Sequence, residues 1–141
     1  MPSFYDYFKE NMEDLGLPAP ASLFGTVQAA VGNVTVILGL IEKFGKKVTI
    51  REIIGAGSKM EGLAVVGGIS AAFYAGAVVG SIAVATGRSL SGGTSLADVI
   101  FVANRYKLNR PWLIEVLHKR SEIYDKAVLA RVNPRNQAVL S

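Results

Sequence analysis

The residue types that could do chemistry in this chain are few, and they lie apart. His118 is the single histidine and there is no cysteine, so a zinc site built from cysteines or a histidine pair is excluded, as is a thiolate nucleophile. His118 sits between Leu117 and Lys119 in an amphipathic stretch, the setting of a surface histidine. Gly55-Ala56-Gly57-Ser58-Lys59 has the look of a phosphate loop. It lacks the Gly-Lys-Ser/Thr ending and the G-x-G-x-x-G spacing and follows no strand, so it reads as a break between helices. Ser91-Gly92-Gly93-Thr94-Ser95 reads as a linker, because a serine nucleophile needs a base and only remote ones exist. Glu115, Glu122 and Asp125 could pair as carboxylates, but Lys119 and Lys126 follow the two glutamates by four residues, which predicts surface ion pairs. The expectation is a non-enzymatic protein with no catalytic residue, no metal and no cofactor.

The informative pattern is one of small residues. Between Glu61 and Arg88 run 26 residues without a charge, and inside them Ala64, Gly68, Ala72, Gly76 and Gly80 recur every fourth position, a glycine zipper. In a helix such residues stack on one face and leave a groove where a second helix can reach backbone contact. Leu63, Val66, Ile69, Phe73 and Val84 form a bulky flank. A second uncharged run of 20 residues, Ser22 to Ile41, carries Phe24, Val27, Val31, Val34, Leu38 and Ile41 as an apolar stripe. Its other side reads Gly25, Gln28, Ala29, Gly32, Thr35 and Gly39. Gln28, Asn33 and Thr35 are the candidate lining of a polar lumen, although Asn33 lies off the face shared by the other two.

Secondary structure follows from the same patterns, and the expected fold is all-α: a hairpin of two long apolar helices flanked by amphipathic N- and C-terminal helices. Residues 3–15 predict a short helix with Phe4, Tyr7, Phe8, Met12 and Leu15 on its apolar side, stopped by Gly16 and Pro18-Ala19-Pro20. Ser22 is placed to cap the first long helix. A polar connector over 42–61 contains a short helix from Thr49, with Glu52 in capping-box position, and Gly87 is placed to end the second long helix. Ser95 and Asp98 form another capping box. A last helix starts near Asn109 with Pro111 in its first turn, its face built from Leu113, Val116, Leu117, Tyr124, Ala127 and Val128. The organisation is a single domain with an N-terminal arm (1–21), an apolar hairpin (22–88) and a basic C-terminal region (89–141).

Composition sharpens the choice of class. Half of the 141 residues are hydrophobic and 18% are charged, and the mean hydropathy of +0.35 is high for a soluble chain of this size. The formal charge of +4 is uneven. Residues 1–21 hold four acids and one base, whereas 104–141 hold eight bases and three acids. Such a basic region attracts anionic lipid by about 1 kcal/mol per cation near the surface. It forms no nucleic-acid motif, so no nucleic-acid partner is expected. The opening Met1-Pro2-Ser3-Phe4-Tyr5-Asp6 is not a signal peptide.

At about 1.5 Å per residue, the second run reaches roughly 39 Å against a hydrocarbon core of about 30 Å. The first has the minimum length of a span. Two readings stay open: helices that enter a membrane, or the permanently buried core of a soluble interaction module. A helix apolar all round needs neighbours on every side, and 141 residues offer few amphipathic helices, which favours the membrane. The nine Leu, Ile, Val and Phe residues between Leu63 and Val84 supply only about −3 to −5 kcal/mol in a bilayer, so insertion needs assembly. A two-span hairpin puts the basic connector (42–61) on one side and the basic tail on the other, so no orientation is consistent. That suits a protein that is soluble first and enters a membrane later.

With the Phe4-Tyr5-Asp6-Tyr7-Phe8 opening, the two apolar segments, Gly68-x3-Ala72-x3-Gly76-x3-Gly80 and a mass of 15.0 kDa, the chain resembles a small pore-forming antibacterial effector of the type VI secretion system. The resemblance covers residues 3–88 in character. It implies secretion from the producer cytoplasm without a signal peptide, carriage by the ring of the haemolysin-coregulated tube protein, and neutralisation by a cognate immunity protein. It further implies insertion among the lipids of the target cell's inner membrane, self-assembly there into a homo-oligomeric pore, and loss of ion gradients.

Overall fold

The computed structural model describes residues 3–57, 60–87 and 95–125. It is all-α, with seven helices among the described residues: α1 (Phe4–Asp14), α2 (Ala21–Phe24), α3 (Val27–Phe44), α4 (Ile50–Gly55), α5 (Ala71–Gly87), α6 (Leu96–Arg105) and α7 (Leu113–Lys119). Two 3-10 turns, Glu61–Val66 and Ser121–Ile123, complete it.

Three helices start where capping chemistry places them. Ser3 and Asp6, Thr49 and Glu52, and Ser95 and Asp98 each form a reciprocal capping box, satisfying two backbone donors that a helix N-terminus otherwise leaves open. The cap of α3 is not the expected Ser22, which lies inside α2. Thr26 performs it, its hydroxyl accepting from the Ala29 N–H at 3.1 Å. The chain breaks just before it at Gly25, where a Cβ would stand 2.7 Å from the Ala21 carbonyl oxygen.

The stretch expected as one helix over 62–87 is divided into the first 3-10 turn, a Gly67-Gly68 turn and α5. Each glycine costs a helix interior about 1 kcal/mol, and the backbone here has another use. Ile50 N–H donates to the Ile69 carbonyl at 3.0 Å and Arg51 N–H to Gly67 at 2.9 Å, so the opened segment satisfies the first donors of α4. Ala71 N–H donates back to Val48 at 2.8 Å. A continuous helix would keep these carbonyls for itself.

α5 is the axis of the fold. It packs against α1, α3, α6, α7 and the Ser121–Ile123 turn, and fourteen of its seventeen residues are buried. The covering helices each contribute one apolar side: Phe8 and Met12 from α1, Ala30, Val34, Ile37, Leu38 and Ile41 from α3, Val99 and Ala103 from α6, Leu113 and Leu117 from α7. Cover is therefore sufficient, contrary to the expectation that 141 residues supply too little. Part of that cover comes from short pieces, α7 and the turn after it. The last helix ends at Lys119, before the expected Tyr124, while Ala127 and Val128 lie outside the described residues.

An aromatic row joins α1, α2 and α5 through Phe4, Phe8, Phe24 and Tyr74, with neighbouring centroids 5.3–6.3 Å apart. The Tyr74 hydroxyl donates to the Pro18 carbonyl and that of Tyr5 to Ala19, both at 2.7 Å. The proline segment between α1 and α2 is thereby fixed at two carbonyls that no helix could satisfy.

Candidate functional site: the glycine face of α5 and its plug

The five zipper positions do not share one helix. Ala64 lies exposed in the first 3-10 turn, and Gly68 lies exposed in the turn before α5 with open space around its missing Cβ. Ala72, Gly76 and Gly80 are on α5 and buried. Their groove is filled from within the chain. A Cβ on Gly76 would stand 2.9 Å from Val116 Cγ1 and 3.9 Å from Leu113 Cδ1, and one on Gly80 would overlap Ile123 Cγ2. Both glycines admit a β-branched side chain of α7 or the turn after it to backbone distance, the close approach that such a face makes available.

Polar contacts hold this plug in place. Asn11 on α1 is 1% exposed, and its Nδ2 donates at 2.8 Å both to Ser81 Oγ on α5 and to the Ile123 carbonyl. The Arg120 guanidinium lies over the Phe73 ring at 4.3 Å, and its Nε donates to Glu122 at 2.6 Å. Arg110, before α7, donates to Glu42 at the end of α3. Glu122 is thus a largely buried partner of Arg120, where a surface pair with Lys126 was expected; Lys126 lies outside the described residues. Glu115 does pair with Lys119, at 3.0 Å. The hydrogen bond from Lys119, its charge and that of Lys46 hold the Glu115 carboxyl below its ordinary range.

The expected lining residues lie on α3. Gln28 and Thr35 are exposed together with Gly32, Val36 and Gly39, and neither glycine has an atom within 4 Å of a built Cβ. Asn33 points elsewhere, its Nδ2 donating to the Leu23 carbonyl at 2.6 Å. The slim side of α3 is therefore open and that of α5 is closed. By length and composition α3 is long and apolar enough to cross a membrane, with 28% of it buried, while α5 at 17 residues is shorter.

His118 is exposed on α7, and no group of three or more potential metal ligands occurs among the described residues. Gly55 ends α4 and Gly57 adopts φ +96°, a turn, while Ser58 and Lys59 lie outside the described residues. Residues 91–94 also lie outside them, and Ser95 caps α6. Asn11, Ser81, Arg120 and Ile123 were not anticipated from the sequence, and Phe73 only as part of the bulky flank. Only Asn11 carries a local signal, a polar residue three after Phe8 and four before Leu15 on an otherwise apolar helix side.

No protein-family model matches the chain, and no curated protein or solved structure matches it.

Proposed function

We propose that the chain is a secreted antibacterial toxin that forms an ion-conducting pore and is held in a sheathed form until it meets a membrane. The observation that carries this reading is the pairing of a wholly uncharged core helix with a plug, residues 113–123, that occupies its glycine face. Withdrawal of that plug exposes a groove suited to another α5.

The two apolar helices divide the work by magnitude. α3 carries nine Leu, Ile, Val or Phe residues, worth about −3 to −5 kcal/mol in a bilayer provided that Glu42 and Lys43 at its C-terminal end stay at the interface, whereas the five of the uncharged α5 supply about −1.5 to −3. α3, about 27 Å long, drives insertion. α5 follows as the second arm of the hairpin and assembles through Ala72, Gly76 and Gly80, with Gln28 and Thr35 of α3 as the lumen-facing polar pair. Secretion, antibacterial action, the carrier ring of the haemolysin-coregulated tube protein, the immunity protein and the inner membrane of a target cell belong to the proposal through the resemblance alone.

A disulfide lock tests it. A Cβ on Gly76 falls 3.8 Å from Val116 Cβ, the mean separation in disulfides, and the chain has no cysteine of its own. Oxidised Gly76→Cys/Val116→Cys is expected to release no dye from vesicles containing anionic lipid, and reduction is expected to restore release. Equal release by the locked and unlocked forms refutes the plug's role.

A second reading, a soluble helical interaction module, is favoured by the same filled glycine face, since Val116 and Ile123 leave no vacancy on it. In that case neither redox form floats with liposomes or conducts.

A further inference from the structure

A cleft of about 310 Å³ opens beside the plug, where the turn after α3, the start of α5 and α7 meet. Its lining includes Lys46, Phe73, Trp112, Glu115, Lys119 and Arg120. Three cations face one carboxylate there, and counting Glu122, the partner of Arg120, still leaves one positive charge unmatched. Lys46 forms no ion pair among the described residues. Phe73 and Trp112 are half-buried and supply flat apolar walls. Phe73 already has the Arg120 guanidinium over its ring, so cationic and aromatic surface are continuous. The first turn of α5 reaches the cleft through Ala72, and a helix N-terminus adds about half a positive charge. The volume stands at the lower end of small-molecule sites.

We infer that this cleft binds a phosphate ester, its anionic group held by Lys46, Lys119 and Arg120 and its uncharged body laid against Trp112. Arginine and lysine are the ordinary partners of phosphate oxygens, arginine through its planar fork and lysine as a mobile point charge. The same group is presented by the headgroup of an anionic phospholipid and by a soluble phosphate ester. Neither source requires the helices to enter a bilayer, so the inference stands apart from pore formation.

Trp112 is the only tryptophan and reports occupancy directly. Its fluorescence in the full chain is to be titrated with glycerol 3-phosphate, with dihexanoyl phosphatidylglycerol below its micelle concentration, and with dihexanoyl phosphatidylcholine. A saturable change with an anionic ester is expected, with the zwitterionic lipid at least about fivefold weaker, the worth of one near-surface charge of about 1 kcal/mol. Saturation by phosphatidylglycerol alone assigns the site to a lipid headgroup, and comparable binding of glycerol 3-phosphate assigns it to soluble esters. Lys46→Gln should weaken binding by about fivefold or more, with Lys43→Gln, on α3 and outside the cleft, leaving it unchanged. No saturable response to either anionic ester, or equal weakening by the two lysine variants, overturns the assignment. Because every ligand is monomeric in solution, failure here leaves the dye-release test of the locked protein untouched, and the converse holds.

Discussion

Substituting alanine for individual glycines should change stability with opposite signs on the two apolar helices. On α3, Gly32 and Gly39 have open space where a Cβ would be, so Gly32→Ala and Gly39→Ala gain helix propensity and stabilise by about 0.5–1 kcal/mol each. On α5, a methyl at Gly80 would overlap Ile123 Cγ2. Ile123 is fully buried and its carbonyl is held by Asn11 at 2.8 Å, so the turn cannot retreat without stretching that hydrogen bond. Overpacking of this kind costs about 1–3 kcal/mol, against a propensity gain of about 1. Gly80→Ala should therefore destabilise by up to about 2 kcal/mol, separating it from the α3 variants by roughly 0.5–3 kcal/mol. Urea unfolding followed by far-UV circular dichroism measures this as a shift in midpoint at constant slope. Adding Ile123→Ala, which alone costs about 2–5 kcal/mol, should cost less in the Gly80→Ala background by at least about 1 kcal/mol. If Gly80→Ala stabilises as Gly39→Ala does, the Ser121–Ile123 turn is not seated on α5 and the plug does not exist.

Asn11→Ala leaves the Ser81 hydroxyl and the Ile123 carbonyl without their shared donor inside the core. A loss of about 1–3 kcal/mol is expected in urea unfolding, and an unchanged midpoint would show the amide to be idle. Oxidised Gly76→Cys/Val116→Cys closes a loop of about 40 residues, which the chain-entropy account values at about 4 kcal/mol, so calorimetry should place its Tm above that of the reduced form by about 10 °C; no rise would mean that the two positions are not adjacent. Burial pushes the Tyr74 phenol well above its ordinary value of 10.0. The folded state then keeps a proton that the unfolded chain gives up, so stability is intact below about pH 10 and falls as pH rises beyond it. Tyr74→Phe removes that share of the alkaline loss and costs about 1–2 kcal/mol at neutral pH by leaving the Pro18 carbonyl unsatisfied. A wild-type alkaline slope in the variant would assign the titration elsewhere.

Local chemistry made the helical class legible. The Thr49/Glu52 and Ser95/Asp98 capping boxes lie where their spacing indicates, and the apolar side of α1 from Phe4 to Leu15 is the side that packs. The interruption before α5 was not legible, because its cause is tertiary: α4 takes the carbonyls of Gly67 and Ile69, and nothing within a helix-length window around Gly67 encodes that demand. Ser22 and Thr26 are both capping types, Ser the stronger, yet Thr26 caps α3, just after the close backbone approach at Gly25. The zipper's small residues were visible as a groove, but not what fills it. Val116 and Ile123 look like ordinary members of a short helix and its tail until the fold brings them onto Gly76 and Gly80.

The Asn11 amide joins positions 112 residues apart. A chain leaving the ribosome therefore presents its most deeply buried helix well before the piece that closes over it, and Ile123 is made 36 residues after Gly87, the end of α5. At about 5–20 residues per second that interval lasts roughly 2–7 s. Each newborn copy spends those seconds unable to complete its own cover, so its exposure to aggregation is decided during synthesis. Slowing translation over residues 88–123 should lower the soluble yield without altering a single contact in the finished molecule.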